Sequence, residues 1–340
     1  MNTVWKKLKK SNFADNITLI IAMVLLVVLF GALNPNYVTG SNLSNILIAC
    51  SLTGFVAIGE TNLIIAGQND LSAGSVAACA GVLAALLSRM GVPVWLALLI
   101  AVGTGCLVGA INAALVTFLK LQPFIATLAT MSVARGAAYI LCDGKAVAVS
   151  DRAFINLGSY RLFGFLPLPV LLLLIAFILF GIMLSKTYFG RSIYVLGGNT
   201  YAARLAGLNP TAIIFKLHIM ESGLAAFAGV LLAARMNSGQ PSACEGLEFD
   251  AITAAVLGGT AFTGGVGTIF GTFLGMLVLQ GFKTGLNMVG VQTFWQDVAQ
   301  GALLVLALAF DFYRKRSREK HALAESMAAR GIQAPGRKAS

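Results

Sequence analysis

The sequence predicts an all-α polytopic membrane protein with about ten transmembrane helices, one or two of them broken or short. Both termini are expected in the cytoplasm. Three observations lead there. Apolar residues make up 58% of the 340 and charged residues 11%, with a mean hydropathy of +0.84; a soluble domain carries about a quarter charged residues. The apolar runs are long, continuous and spread over the whole chain, without the alternation of strands, so a backbone solvated by hydrocarbon must be helical. Basic residues gather in a few segments that span parity puts on one side of the membrane.

The elements follow in order. Residues 1–16 form a basic N-terminal segment, with Lys6, Lys7, Lys9 and Lys10 against Asp15. Apolar segments occupy 17–33, 43–65, 72–90, 93–119, 123–142, 166–185, 211–236, 250–263, 267–289 and 294–313, the membrane domain being 17–313. The first is longer than a signal-peptide core, and Asn34-Pro35-Asn36 follows it without a small-residue cleavage pattern, so it reads as an uncleaved span. The eighth is shorter than the roughly 20 residues a span needs. It reads as a half-helix or tilted segment, joined to the ninth at Gly264-Gly265-Val266-Gly267. A basic tail, 314–340, is expected to be disordered.

Charge sets the orientation. The N-terminus, the tail and the 186–216 loop (Lys186, Arg191, Arg204, Lys216) hold two thirds of the 24 basic residues, and ten spans put all three in the cytoplasm. The 143–165 loop and the acidic 237–249 loop fall outside. Anionic lipid headgroups then account for most of the net charge of +11, and no nucleic-acid partner is implied. The 186–216 stretch contains no Asp or Glu. Within it, Gly198-Asn199-x-x-Ala202-Ala203-Arg204-Leu205-Ala206-Gly207 reads as a short helix stopped by glycine.

Catalytic chemistry is poorly provided for. The chain has no phosphate-binding G-x-x-x-x-G-K-[ST], no H-E-x-x-H and no G-x-S-x-G, and only two histidines, His218 and His321. The five cysteines show no metal or redox spacing and read as small buried hydrophobes, so no metal site is expected. Gly267, Gly271 and Gly275, like Gly105 and Gly109, recur every four residues, the spacing that lets helix backbones approach in lipid.

Charges inside spans are costly and often functional. Glu60, Arg135 and Glu221, with Asp70 in the break between spans two and three, have three readings: structural pairs or caps, lining of a polar pathway, or a proton relay. So sparse a carboxylate set gives little support to a proton- or sodium-driven carrier. Polar, glycine-containing breaks occur at 66–75 and 258–268. Asn69, Asp70 and Ser72 either cap the third helix or line a pathway through a broken helix. The pathway candidates are thus Asn69, Asp70, Ser72, Glu60, Arg135 and Glu221.

Several segments together resemble one family. They are Pro35-Asn36-Tyr37 with Asn42-Leu43-x-Asn45-Ile46-Leu47, and Asn69-Asp70-Leu71-Ser72-Ala73-Gly74-Ser75. Further along come Pro123-Phe124-Ile125-Ala126-Thr127-Leu128 with Arg135-Gly136, and Phe189-Gly190-Arg191 with the 198–207 pattern. Last is Ala254-Ala255-Val256-Leu257-Gly258-Gly259-Thr260 with Gly264-Gly265-x-Gly267-Thr268. From about Asn34 to Phe312 the chain resembles the permease subunits of ABC sugar importers, the ribose, xylose, galactose and autoinducer-2 branch. It departs from the pattern at Gln68-Asn69, Val266 and Glu221.

The resemblance implies a multi-pass permease of the bacterial inner membrane, paired with a second permease subunit as a homodimer or sibling heterodimer. A periplasmic binding protein would deliver a pentose, hexose or small polyol, with autoinducer-2 as the alternative substrate. Separate ATPase subunits would hold ATP and magnesium, and this chain would bind no cofactor. The coupling loop, 186–210, would grip the ATPase through Gly190, Arg191, Gly198, Asn199, Ala202, Ala203, Arg204, Leu205 and Gly207. Glu245, Glu248 and Asp250 are the candidates for docking the binding protein. An independent secondary carrier or channel is the reading from a different class.

Overall fold

The computed structural model describes residues 2–329. The helices are α1 (Asn2–Leu33), α2 (Gly40–Ile65), α3 (Ala73–Arg89), α4 (Val94–Thr117), α5 (Pro123–Leu141), α6 (Arg152–Ser159) and α7 (Leu168–Lys186). They continue with α8 (Tyr188–Gly198), α9 (Thr200–Leu205), α10 (Pro210–Met236), α11 (Leu247–Leu257), α12 (Ile269–Met288) and α13 (Thr293–Ala329). Among the described residues α2, α4, α5, α7, α10 and α12 are long and apolar enough to cross a membrane. Shorter apolar helical stretches lie at Ile17–Leu33, Ala73–Arg89 and Thr293–Ala309.

α13 runs past the tenth apolar segment into the basic stretch, so the tail expected to be disordered is helical as far as Ala329. Ala322, Ala324, Ala328 and Ala329, mixed with charged residues, are strong helix formers. Residues 330–340 lie outside the described residues.

Helix ends follow local chemistry. Thr187, Asn199, Asn209 and Thr268 each accept a backbone N–H in the first turn of α8, α9, α10 and α12. Pro123 and Pro210 begin their helices where a missing N–H costs nothing. The eighth apolar segment was expected to span 250–263. The helix instead stops at Leu257, because Gly259, Gly264 and Gly265 adopt φ of +84°, +86° and +75° and turn the chain. α11 is thus a half-helix of 11 residues.

α10 is the central post, packed on α4, α3 and α2, while α11 lies against α12 and α2. Small residues make this possible. Gly105 faces the Ser222 carbonyl and Ala226, and Gly109 the His218 carbonyl, which joins α4 to α10. Gly271 meets Gly258 and Gly275 meets Ala254, which closes the α11–α12 pair. Gly267 does not share that face: it precedes α12 and packs on Thr260. Gly229 rests directly on the Ala77 carbonyl. Gly229→Leu is therefore expected to stop α3 closing on α10, seen as loss of the monodisperse peak in fluorescence-detected size-exclusion chromatography.

Two loops expected on the same side are physically joined. Strand β1 (Val147–Ala148) pairs antiparallel with β4 (Ser238–Gly239), in the register Val147 with Gly239 and Ala148 with Ser238. A second short pair, β2 (Arg161–Leu162) with β3 (Leu166–Pro167), leads into α7.

After β4 the chain turns inward. Gly229 lies seven residues before the end of α10, or about 10 Å at 1.5 Å per residue, and meets Ala77. Gly74, about 5 Å further in on α3, meets the Cys244 carbonyl and the Glu248 carboxylate. Residues 240–246 thus re-enter between the helices, and α11 starts deep inside.

Candidate functional site: a buried polar bracket and an exposed helical loop

The break after α2 places Asp70 at the centre of a buried network. Gly67, at φ +75°, turns the chain back so that Asp70 returns beside Glu60. The Asp70 N–H donates to the Glu60 carboxylate at 3.2 and 3.4 Å. Its Oδ1 accepts from the Ser72 N–H at 2.7 Å and the Ser72 hydroxyl at 2.5 Å. Its Oδ2 accepts from Asn112 Nδ2 at 3.1 Å and Ser222 Oγ at 3.3 Å, and lies 3.6 Å from His218 Nδ1. Thr130 then donates to Asn112 Oδ1 at 2.6 Å. One carboxylate thereby links α3, α4 and α10, reaches α5 through Asn112, and holds α2 through its own backbone.

These groups have no route to solvent within the protomer. Asp70, Ser72, Asn112, His218, Glu221 and Ser222 are fully buried, and Glu60 nearly so. Glu221 sits against Gly59, the one residue whose lack of a side chain lets it come so close to α2. Glu60, Asp70 and Ser72, expected either as pairs and caps or as pathway residues, are hydrogen-bonded to one another. Ser72 occupies the N-cap position of α3 but makes no side-chain cap, because its hydroxyl is committed to Asp70. Asn69 is half-buried and its side chain takes no part in this network.

Arg135 is also a clamp. Its Nη1 donates to the Pro241 and Ala243 carbonyls at 2.6 and 2.7 Å, holding the re-entrant loop that no regular structure would satisfy. That loop corrects the expected docking site. Glu248 and Asp250 are each only 6% exposed, because α11 begins inside the protein; Glu245 alone of the three is exposed.

The 186–210 loop is helical twice over. Asn199 ends α8 and its side chain accepts from the Ala202 N–H at 2.9 Å to start α9; Gly207, at φ +77°, follows the last turn. Arg191, Gly198, Asn199, Ala202, Arg204, Leu205 and Gly207 are exposed, whereas Gly190 is buried. Ala203 is fully buried and faces the protein, contrary to its expected place at the ATPase surface. Tyr201, which sequence reasoning passed over, is 71% exposed and stands four residues from Leu205 at 74%, an apolar pair on one helical face. The i, i+4 spacing of two large apolar residues in a polar loop was the signal available.

This segment is tied to both membrane breaks. Gly197 seats on the Ile65 carbonyl at the end of α2, and the Gly265 N–H donates to that same carbonyl at 2.8 Å. The Tyr194 hydroxyl donates to the Gly267 carbonyl at 2.7 Å. Burial pushes that hydroxyl up to about 12, so it stays a proton donor at every physiological pH.

The family model described as branched-chain amino acid transport system / permease component matches residues 42–308. The L-arabinose transport system permease protein AraH of Escherichia coli (strain K12) is 36% identical over 314 residues, covering 91% of this chain and 95% of the relative. The ribose import permease protein RbsC of Bacillus subtilis (strain 168) is 36% identical over 299 residues, covering 87% and 92%. RbsC of Escherichia coli (strain K12) is 36% identical over 297 residues, covering 86% and 92%. No solved structure matches the chain. Relatives of this kind are transport subunits and not enzymes. By the match over 42–308 and the near full-length identity to its relatives, the chain belongs to this family of transport-system permease components.

Proposed function

We propose that the chain is the membrane-spanning subunit of an ATP-binding cassette importer that carries a pentose or a closely related small sugar. The observation that carries this reading is the 36% identity, nearly end to end, to permeases named for L-arabinose and ribose. The reading includes ten passes, the eighth and ninth made by the α11–α12 pair, with both termini in the cytoplasm of a bacterial inner membrane. Two permease subunits pair around the pathway. A periplasmic binding protein delivers the sugar, and Glu245 is the acidic group left to meet it. ATP and magnesium reside on separate subunits.

Those subunits take hold at α9. Tyr201 and Leu205 supply an apolar contact and Arg204, at the exposed end of the helix, a charge-assisted bond to a carboxylate. Arg204→Glu with Leu205→Glu should abolish co-purification of the ATPase subunit and ATP-driven uptake, with the permease itself still in the membrane. Ala203 is left intact in this test, since a large residue there would disturb the protomer's own packing. Full co-purification of the double variant would remove α9 as the contact.

A further inference from the structure

Polar side chains reach the surface at a depth where lipid would be their neighbour. Asp250 lies in the first turn of α11, and Gly275 pairs with Ala254, so Asp250 stands about level with residue 279 of α12. That is about 13 Å inside the Met288 end, and Lys283 is about 8 Å inside, at 1.5 Å per residue. Lys283 Nζ donates to both Asp250 oxygens, at 2.7 and 3.1 Å, and to Gln300 Oε1 on α13 at 3.2 Å. The Lys283 side chain is nevertheless 29% exposed.

The surroundings extend the pattern. Asn287, one turn above Lys283, is exposed, as is Asp297, one turn above Gln300. Phe249, next to Asp250, is 44% exposed. Below this track the character changes abruptly. Ile64, Leu71, Ile252, Ala255, Val256 and Ala307 form an apolar cluster separate from the main core, where the inner end of α2, the break after it and α11 meet the middle of α13. A partly exposed ammonium is not stable against hydrocarbon, so this face meets water or protein.

We infer that Lys283 and Gln300, with Phe249 beside them and the buried Asp250 carboxylate holding the ammonium from behind, line the aqueous path and make a transient site for a neutral, hydroxyl-rich solute. The inference rests on the proposed sugar-import function. The amide accepts hydroxyl hydrogens, the ammonium positioned by Asp250 donates to hydroxyl oxygens, and an exposed ring offers the apolar face of a sugar a partner. Because the ion pair is internally neutral, it solvates such a solute without selecting an ion. The apolar cluster beneath closes the path toward the cytoplasm in this conformation. Ile64 and Leu71 belong to that seal, and Ile65 is the residue on which Gly197 rests. A shift of α8 therefore bears on the end of α2, one residue from Ile64.

The test uses the complete complex in proteoliposomes, with Gln300→Cys treated with a membrane-impermeant methanethiosulfonate and the wild type, with its five native cysteines, as the blank. Labelling of Gln300→Cys beyond the blank, blocked uptake, and protection by saturating L-arabinose or ribose with the binding protein are expected. Asp250→Asn and Gln300→Ala should raise the KM for sugar by about tenfold or lower uptake to that degree, the scale of one lost hydrogen bond. Lys283→Arg should retain uptake where Lys283→Met loses it. Unlabelled Gln300→Cys with wild-type kinetics in Asp250→Asn and Gln300→Ala would overturn the assignment. Absence of ATP-dependent uptake by the wild type would instead overturn the import function. Labelling of Gln300→Cys is read independently of uptake, and its absence counts against the aqueous face in either case.

Discussion

Gly197→Val is expected to cut ATP-driven uptake severely while the protein still reaches the membrane. The position has no room for a side chain, since a Cβ there would overlap the Ile65 carbonyl and lie 2.9 Å from the Gly265 nitrogen. That carbonyl also accepts the Gly265 N–H at 2.8 Å, so displacing it opens the one backbone bond between α2 and the turn after α11. The expected loss is at least about tenfold in uptake, corresponding to a net hydrogen-bond energy of about 1 kcal/mol plus the steric displacement. ATP hydrolysis by the assembled complex should persist without uptake, because Tyr201, Arg204 and Leu205 are untouched. Retained uptake in Gly197→Val, with normal expression, would mean that motion at α8 does not reach the membrane through this junction.

Asp70→Ala has the larger effect on stability. It removes the acceptor for the Ser72 N–H, the Ser72 hydroxyl, Asn112 Nδ2 and Ser222 Oγ, all without access to water. Bonds of this type inside membrane proteins contribute about 0.6 kcal/mol each on average and at most about 1.7, so the loss should total about 2–4 kcal/mol. The readout is thermal unfolding in detergent, where the variant should melt well below the wild type. Asp70→Asn, which keeps the shape and one acceptor, should fall between them. An unchanged melting temperature with abolished uptake would move Asp70 from bracket to pathway.

Much of this was legible in the chain. The short helix with its Gly207 stop, the half-length eighth segment and the close-packing faces of Gly105–Gly109 and Gly271–Gly275 are local patterns, and local patterns fix local structure. Placement in depth was not legible. Glu245, Glu248 and Asp250 look like one acidic outer loop, because a short polar stretch after a span carries no mark of whether it returns inward. What draws it in is Arg135, 106 residues away from Pro241 in sequence. Asp250 is likewise acceptable inside only because Lys283 comes from another helix. Ala203 was misplaced for a similar reason: which face of a six-residue helix is covered depends on the helices beside it. The Ile65–Gly197–Gly265 junction joins three distant segments through backbone atoms, which leave no trace in side-chain chemistry.

We propose that this chain moves sugar only when powered by separate ATPase subunits. The most direct test is uptake of radiolabelled L-arabinose and ribose into proteoliposomes holding the permease, its ATPase and its binding protein. Accumulation against a gradient, dependent on ATP, magnesium and both partners, is the result this account predicts. Uptake by the permease alone, without ATP or partners, would contradict it.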